Sequence, residues 1–598
     1  MIRWSLALCL AVLVGFVTPV FAATSELDGP SVLRGGDVGV GRQMPDAAFT
    51  TLYGQQMHLS DLLKGKGLVV AMTSITCPVS KRYAATLARL HKELAAKEIS
   101  LLLVNPFSSE NSELVAAFIK ENALTAPYVN DLDKSLAFAL RASSTTEALL
   151  LDPNRTLIYR GAIDDQYGLG YHLEAPRKQF LRDAIEALLA GRLPLLNATE
   201  APGCELDLPA EPRLAGADVT YHRDITRILQ QNCLRCHREK GIAPFAFDDF
   251  ESVNERAKTI RRVVEWGHMP PWFAAPVPEG QENPWANDRS LSARDKADLL
   301  AWVSSTDRPL GDPADAPKNV QFPDDWSIAK PDLILQLPKA FAIKAEGTMP
   351  YQVAVLETGL TRDEWVTAYE ILPTQRDVVH HVIVQVLEKG ASVKKLGDAA
   401  ASFWAAYVPG NGGRMYPQGF ARRLPAGARL VFQIHYTPNG HPVQEQMRIG
   451  LVFAKTPPQY EIKAVGIPKK NLNIPPGEAS HSETTEKEVP LDLNVTSLMA
   501  HMHVRGKAFK YEVIHTDGHT ETLLDIPHYD FNWQLSYDYK QPKFVPKGSR
   551  IRVTGVFDNS AANKANPDPN KRVHWGEQTF DEMLIGYLEI AASVQTSH

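Results

Sequence analysis

Cysteine is scarce in this chain. There are five in 598 residues, and one of them, Cys9, lies in the apolar stretch at the start. The other four are Cys77, Cys204, Cys233 and Cys236. An exported protein of this size has no need of a disulfide framework, so these four read as assigned to particular tasks. Beyond residue 325 there is no cysteine at all, and whatever folds there must hold by packing. An excess of positive charge is also missing: 63 Lys and Arg stand against 69 Asp and Glu, for a net charge of −6. With no basic cluster either, nothing supports a nucleic-acid partner. No long hydrophobic run follows residue 22, so no stable membrane span is expected after that point.

Residues 1–22 have the form of a signal peptide: Arg3, an apolar run from Leu6 to Val17, and the cleavage-like Val20-Phe21-Ala22. The alternative is an uncleaved anchor helix, although the run is short for a bilayer span. The expected location is the periplasm or outside the cell. At 598 residues the chain exceeds a single core, and roughly three to five domains are expected.

Over 40–200 the pattern is strand, turn, helix, strand, with an apolar strand from Gly67 to Thr73 and helical spacing from Ser80 to Ala96. An Asp-Pro-Asn-Arg turn then joins two apolar runs as a hairpin. This α/β segment resembles the thioredoxin/peroxiredoxin fold. The resemblance places Cys77 at the nucleophile position, where a helix N-terminus stabilises a thiolate. Ser80 replaces the second cysteine of a CxxC pair, and Thr146 stands where a cis-proline is usual. A peroxidatic Cys77 is implied instead, with Ser74 at the place of the family's threonine and Cys204 as a resolving or disulfide partner. The bland alternative is a degenerate domain used for packing or docking.

Over 215–310 the segment Cys233-Leu234-Arg235-Cys236-His237 is a CxxCH. It resembles a small all-α, monoheme cytochrome c-like domain. That likeness implies one covalently attached heme bound through Cys233, Cys236 and His237, with Met269 as the sixth ligand and His268 as its rival. A structural zinc site or a redox dithiol is the other reading.

From 325 to 592 short alternating strands and dense Pro and Gly turns indicate all-β antiparallel sandwiches. Two are expected, at 325–457 and 458–592. Here lie His380-His381, His435, His501-Met502-His503 and Met583. The i,i+2 spacing of His501 and His503 puts both rings on one strand face. Adjacent strand residues point apart, so His380 and His381 can share an ion only where the strand ends or bulges. Imidazoles with a thioether suit copper that cycles between two oxidation states.

The region resembles the copper type II, ascorbate-dependent monooxygenases. That resemblance implies two copper ions: His380, His381 and His435 for electron transfer, and His501, His503 and Met583 for catalysis, across an open solvated cleft. Gln433 and Tyr587 match further active-site positions. Met499 and Ile585 stand where the peptide-binding arginine and asparagine would be, so a non-peptide substrate is implied. The reading is an exported copper-dependent monooxygenase. It uses O2, a small organic substrate, and electrons from ascorbate, a periplasmic donor or its own heme. The rivals are a copper-binding or copper-sensing protein without catalysis, and a peroxidase run by Cys77 and heme.

Overall fold

The computed structural model describes residues 30–594, apart from 108–109, 169–170, 174, 207, 209–217, 240, 244, 279–280, 324, 348, 393–399, 401, 409–410 and 439–440. The leader expected at 1–22 lies outside the described residues. Among the described residues no helix is long and apolar enough to cross a membrane.

A five-stranded sheet forms the first unit, in the order Tyr128–Asn130, Ile99–Asn105, Gly67–Met72, Ala148–Leu151, Leu157–Gly161. The first three strands are parallel and the last two antiparallel. Gly67–Met72 is buried at every position because helices cover both faces. Val69, Ala71, Leu101 and Leu103 pack with the helices Pro78–Ala95 and Phe180–Leu189. Val70, Leu102 and Leu149 face the opposite core with Leu136 and Leu140. This is a thioredoxin-like α/β domain. Its first helix starts at Pro78, in the first-turn position where a missing N–H costs nothing.

The next segment is helical: one π-turn at Tyr221–Ile225, then Thr226–Asn232, Phe250–Glu255, Ala257–Glu265 and Ala293–Ser304. Tyr221, Leu229, Phe247, Ile260 and Trp302 are among its core residues. It docks on the first unit through Arg42, whose guanidinium donates to Asp295 (2.6 Å) and Asp298 (2.9 Å). On its other side Trp285 pairs with Tyr539, and the ring centroids are 4.8 Å apart.

The remainder is rich in β-sheet. One nine-stranded sheet takes strands from both sides of the expected boundary at 457–458, because Phe420–Leu424 pairs in parallel with Tyr460–Pro468. A four-stranded sheet holding Val379–Leu387 and Arg429–Tyr436 encloses one core against it. A second four-stranded sheet, holding Gly506–Ile514 and Arg550–Phe557, encloses another. Alternation of buried and half-exposed positions along these strands gives each sheet one core face.

Candidate thiol centre and histidine cluster

Cys77 caps the helix Pro78–Ala95 and is 2% exposed. The turn before it is held by a carboxylate that the sequence did not single out. Glu110, also 2% exposed, accepts the Ile75 N–H (2.8 Å), the Thr76 N–H (3.0 Å), the Ser74 hydroxyl (2.6 Å) and the Asn105 amide (2.7 Å). Burial pushes the Glu110 carboxyl up, and these donors more than offset it, leaving the group below its ordinary range. The Ser74 oxygen in turn accepts the Cys77 N–H (3.0 Å). The Ser80 side chain is turned to the main chain, its oxygen accepting the Ser74 N–H (2.8 Å).

Cys204 returns along the chain to lie beside Cys77. Thr145 N–H donates to the Cys204 carbonyl (3.0 Å), and Cys204 N–H donates to the Thr145 hydroxyl oxygen (2.9 Å). Cys204 packs against the core cluster that holds Cys77, and both cysteines are free. Burial pushes the Cys77 thiol up. Hydrogen bonds from the Thr145 hydroxyl, the Ser80 N–H and both the thiol and N–H of Cys204 outweigh it, so Cys77 sits below the ordinary thiol range. Cys204 sits above that range, first through burial and then through its contact with Cys77. The pair is thus divided into a more acidic and a less acidic thiol. Thr146, at the cis-proline position, is joined by a trans bond, since the single cis peptide among the described residues is Met269-Pro270.

At the CxxCH, the His237 Nδ1–H donates to the Phe245 carbonyl (3.1 Å), and the ring stacks on Phe247 with centroids 4.6 Å apart. Cys233 packs against the helical core, and burial pushes its thiol up to about 12. Clefts of about 470 and 270 Å³ lie elsewhere, and neither is lined by Cys233, Cys236 or His237. This loop closes on its own phenylalanines, Phe245 and Phe247. His268 is exposed and Met269 half-buried in the turn after Ala257–Glu265.

Strand Val379–Leu387 slips register against Arg429–Tyr436 between Val379 and His381. That bulge turns two adjacent histidines toward one point. Donor atoms of His380, His381 and His435 all lie within 4.8 Å of one another, the only such group of three or more His, Cys, Asp or Glu among the described residues. Tyr351, absent from the sequence reading, hydroxyl-bonds His381 Nε2 (3.1 Å) and stacks on His435 (5.0 Å). Buried His380 Nε2 and His435 Nδ1 have no partner. Burial, then the neighbouring His435 and His501, hold His380 down to about 3, so its imidazole is neutral.

His501 and His503 are fixed by Gln534 (Nδ1–H to Oε1, 2.6 Å) and by the Asp581 carbonyl (3.3 Å). Met583 leads into strand Leu584–Ser593 and packs in a cluster with Met499, Ile585, Tyr587 and Phe403. Met502 is fully buried in the core on the opposite face. Gln433 lies on the same strand as His435, and the Tyr587 ring is 6.4 Å from that of His501.

Residues 40–161 match the AhpC/TSA family. No curated protein matches the chain. Similar solved structures include a hypothetical protein of Sinorhizobium meliloti 1021, at 25% identity over 31% of this chain and 100% of that one, TM-score 0.27. An uncharacterized conserved protein of Geobacillus kaustophilus follows, at 23% identity over 31% and 97%, TM-score 0.26. The peroxidoxin BcpB of Mycobacterium tuberculosis shares 15% identity over 25% and 94%, TM-score 0.20. The chain carries an AhpC/TSA-type, thioredoxin-like domain.

These findings overturn the copper-dependent monooxygenase expected from the histidine phrases. The family match falls on a cysteine-based redox module, not on copper or heme chemistry. The geometry differs from that expectation as well. Instead of two centres across an open cleft, the His381 and His501 rings lie 6.4 Å apart, and His381, His435, His501 and His503 are all buried. Phe531 fills the space beside them, stacked on His380 (4.6 Å) and edge-on to His503 (6.1 Å). The two coppers, the covalent heme, and O2 and ascorbate as reactants fall with that reading.

Proposed function

We propose that this chain is an exported thiol peroxidase in which Cys77 is the peroxidatic nucleophile and Cys204 resolves it. The observation that carries the reading is the contact of two free thiols of opposite acidity at a helix N-terminus. The AhpC/TSA match of the surrounding domain supports it. The Cys77 thiolate attacks a peroxide oxygen: the S–O bond forms, the O–O bond breaks, and the departing oxygen takes a proton. Cys204 then attacks the sulfenic sulfur, the S–S bond forms and water leaves with the Cys204 proton. A dithiol protein of the same compartment returns two electrons and two protons to the disulfide. A site this closed admits a small oxidant.

Hydrogen peroxide added at one equivalent should yield one Cys77–Cys204 disulfide, mapped by peptide mass spectrometry. Absence of that disulfide would sink the proposal. The thiolate is the reactive form, so the oxidation rate should rise with pH through a midpoint below that of an ordinary thiol. A midpoint at or above the ordinary value contradicts the assignment.

A second reading concerns His380, His381 and His435. Two buried ring nitrogens without partners in a group of neutral imidazoles suit a transition-metal ion, which would be held by these three side chains. Zn(II) titration should show one tight equivalent per chain, and His435→Ala should weaken it by at least about tenfold. Equal affinity in the variant excludes the cluster as the site. We also take 40–200, 215–310, 325–457 and 458–592 as the chain's units: the thioredoxin-like domain, a small all-α unit and two β-sandwiches.

A further inference from the structure

We propose that Glu110 sets the charge selectivity of the thiol centre, so that Cys77 reacts with neutral peroxides and disfavours anionic ones. The inference rests on the reading of Cys77 as the peroxidatic thiol.

Successive main-chain N–H groups in a turn that leads into a helix ordinarily attract an anion. In the turn before Cys77 four such amides in a row are already committed. Ser74 donates its N–H to Ser80 Oγ, Ile75 and Thr76 donate theirs to Glu110, and Cys77 donates its own to Ser74 Oγ. The hydroxyls follow the same pattern. Ser74 donates to Glu110 at 2.6 Å, and the Thr76 hydroxyl donates to the same oxygen. The Asn105 amide, at the end of strand Ile99–Asn105, completes the set. Neutral donors alone thus converge on one carboxylate.

Such donors stabilise the charge without cancelling it. Among the described residues no lysine, arginine or histidine pairs with Glu110, whose partners are amides and hydroxyls. The carboxylate is 2% exposed, so water screens it little. Ser74 alone stands between it and the Cys77 main chain: the serine oxygen accepts the Cys77 N–H at 3.0 Å, and its proton goes to Glu110. A full negative charge therefore lies one side chain away from the nucleophile. An oxidant carrying its own negative charge is repelled there, and finds the amides of residues 74–77 committed. A neutral peroxide needs no such partner. Both kinds react alike at the sulfur. The thiolate attacks the terminal oxygen, the S–O bond forms and the O–O bond breaks. The sulfenic acid keeps the hydrogen of that oxygen. Hydroxide or alkoxide leaves from a neutral peroxide, and sulfate leaves from peroxymonosulfate.

The test uses the full chain at low ionic strength and three probes: hydrogen peroxide, tert-butyl hydroperoxide and peroxymonosulfate. The first two are neutral, and the third is an anion of about the bulk of the second. Oxidation of Cys77 is followed by rapid quench and mass spectrometry. The quantity read is the peroxymonosulfate rate divided by the tert-butyl hydroperoxide rate. The amount of thiolate enters both rates and cancels in that ratio. Glu110→Gln removes the charge at nearly constant volume, and should raise the ratio about five- to tenfold. Added salt should shrink the gain. Glu110→Ala removes the charge without setting a new amide against the Ile75 and Thr76 donors, and should raise the ratio in the same way if the glutamine variant folds poorly. Ser74→Ala disturbs the same turn but keeps the charge, so its ratio should stay within about twofold of the native one. An unchanged ratio in both Glu110 variants would overturn the inference, as would an equal rise in Ser74→Ala. If none of the three peroxides oxidises native Cys77, the thiol-centre reading itself fails, which is a separate outcome.

Discussion

Cys77→Ser should bring peroxide consumption down to the uncatalysed background while leaving the fold intact. The residue is buried in a turn whose hydrogen bonds come from Ser74, Thr76 and Glu110, none of which needs the sulfur. Serine fills nearly the same volume, yet its hydroxyl stays protonated where the thiol ionises, so the nucleophile is lost and the packing kept. Cys204→Ser should act differently. Its Cys77 should still react once, and the sulfenic acid should persist because no second thiol is in contact with it. Trapping with a sulfenate-selective reagent and mass spectrometry distinguishes the two variants. Sustained turnover in Cys77→Ser would place the activity elsewhere in the chain.

Glu589→Ala should destabilise the β-rich half by about 3–5 kcal/mol, the range for leaving a buried charge without its partner. Glu589 is 9% exposed and sits between two guanidiniums, with Arg414 Nη2 and Arg422 Nη2 each 2.5 Å from it. Arg422 is 1% exposed, and its other partners are the Tyr416 hydroxyl and the carbonyls of Phe403 and Trp404. Arg414 keeps Asp538, so the larger share of the cost falls on Arg422. The carboxylate lies on Leu584–Ser593 and the arginines on Gly413–Met415 and Phe420–Leu424, so the cluster ties the two β-rich halves together.

Burial pushes the Glu589 carboxyl up, but Arg414 and then Arg422 hold it below the ordinary range. A depressed folded value stabilises the protein above the unfolded value and is lost as pH falls through the folded one. The native β-rich half should therefore weaken on acidification below the usual glutamate range, and the alanine variant should lose that part of its pH dependence. Guanidinium unfolding followed by tryptophan fluorescence reads both effects. An unchanged midpoint in the variant would show that Glu589 contributes no net stability.

Much of the thiol centre is written locally. An apolar run, a short turn, Cys77, Pro78 and then helical spacing place that sulfur at a helix N-terminus from sequence alone. Glu110 was not legible, because nothing in "FSSENSEL" marks one glutamate as the acceptor for a turn more than thirty residues earlier. Thr145 was within sight, one residue before the Thr146 already noted, but only the return of Cys204 gives its hydroxyl a partner. The histidines show the opposite case. Their residue types point to metal chemistry, but spacing cannot say how many clusters they form. The bulge after Val379 brings His380 and His381 onto one point, and Phe531 and Tyr351 close the space around them.

The sequence by itself determined the scarcity and separation of the cysteines, the position of Cys77 at a helix start, the thioredoxin-like order of elements and the β-rich second half. These depend on interactions between near neighbours and on side-chain periodicity, which a chain carries in one dimension. Only the tertiary structure decided that Cys204 lies against Cys77, that Thr145 pairs with the Cys204 main chain and Glu110 with the turn before Cys77, and that five histidines crowd together around one three-donor cluster. Such contacts depend on strand register and on loops that return from far along the chain. A slip of one residue in that register turns a side chain to the other face of its sheet.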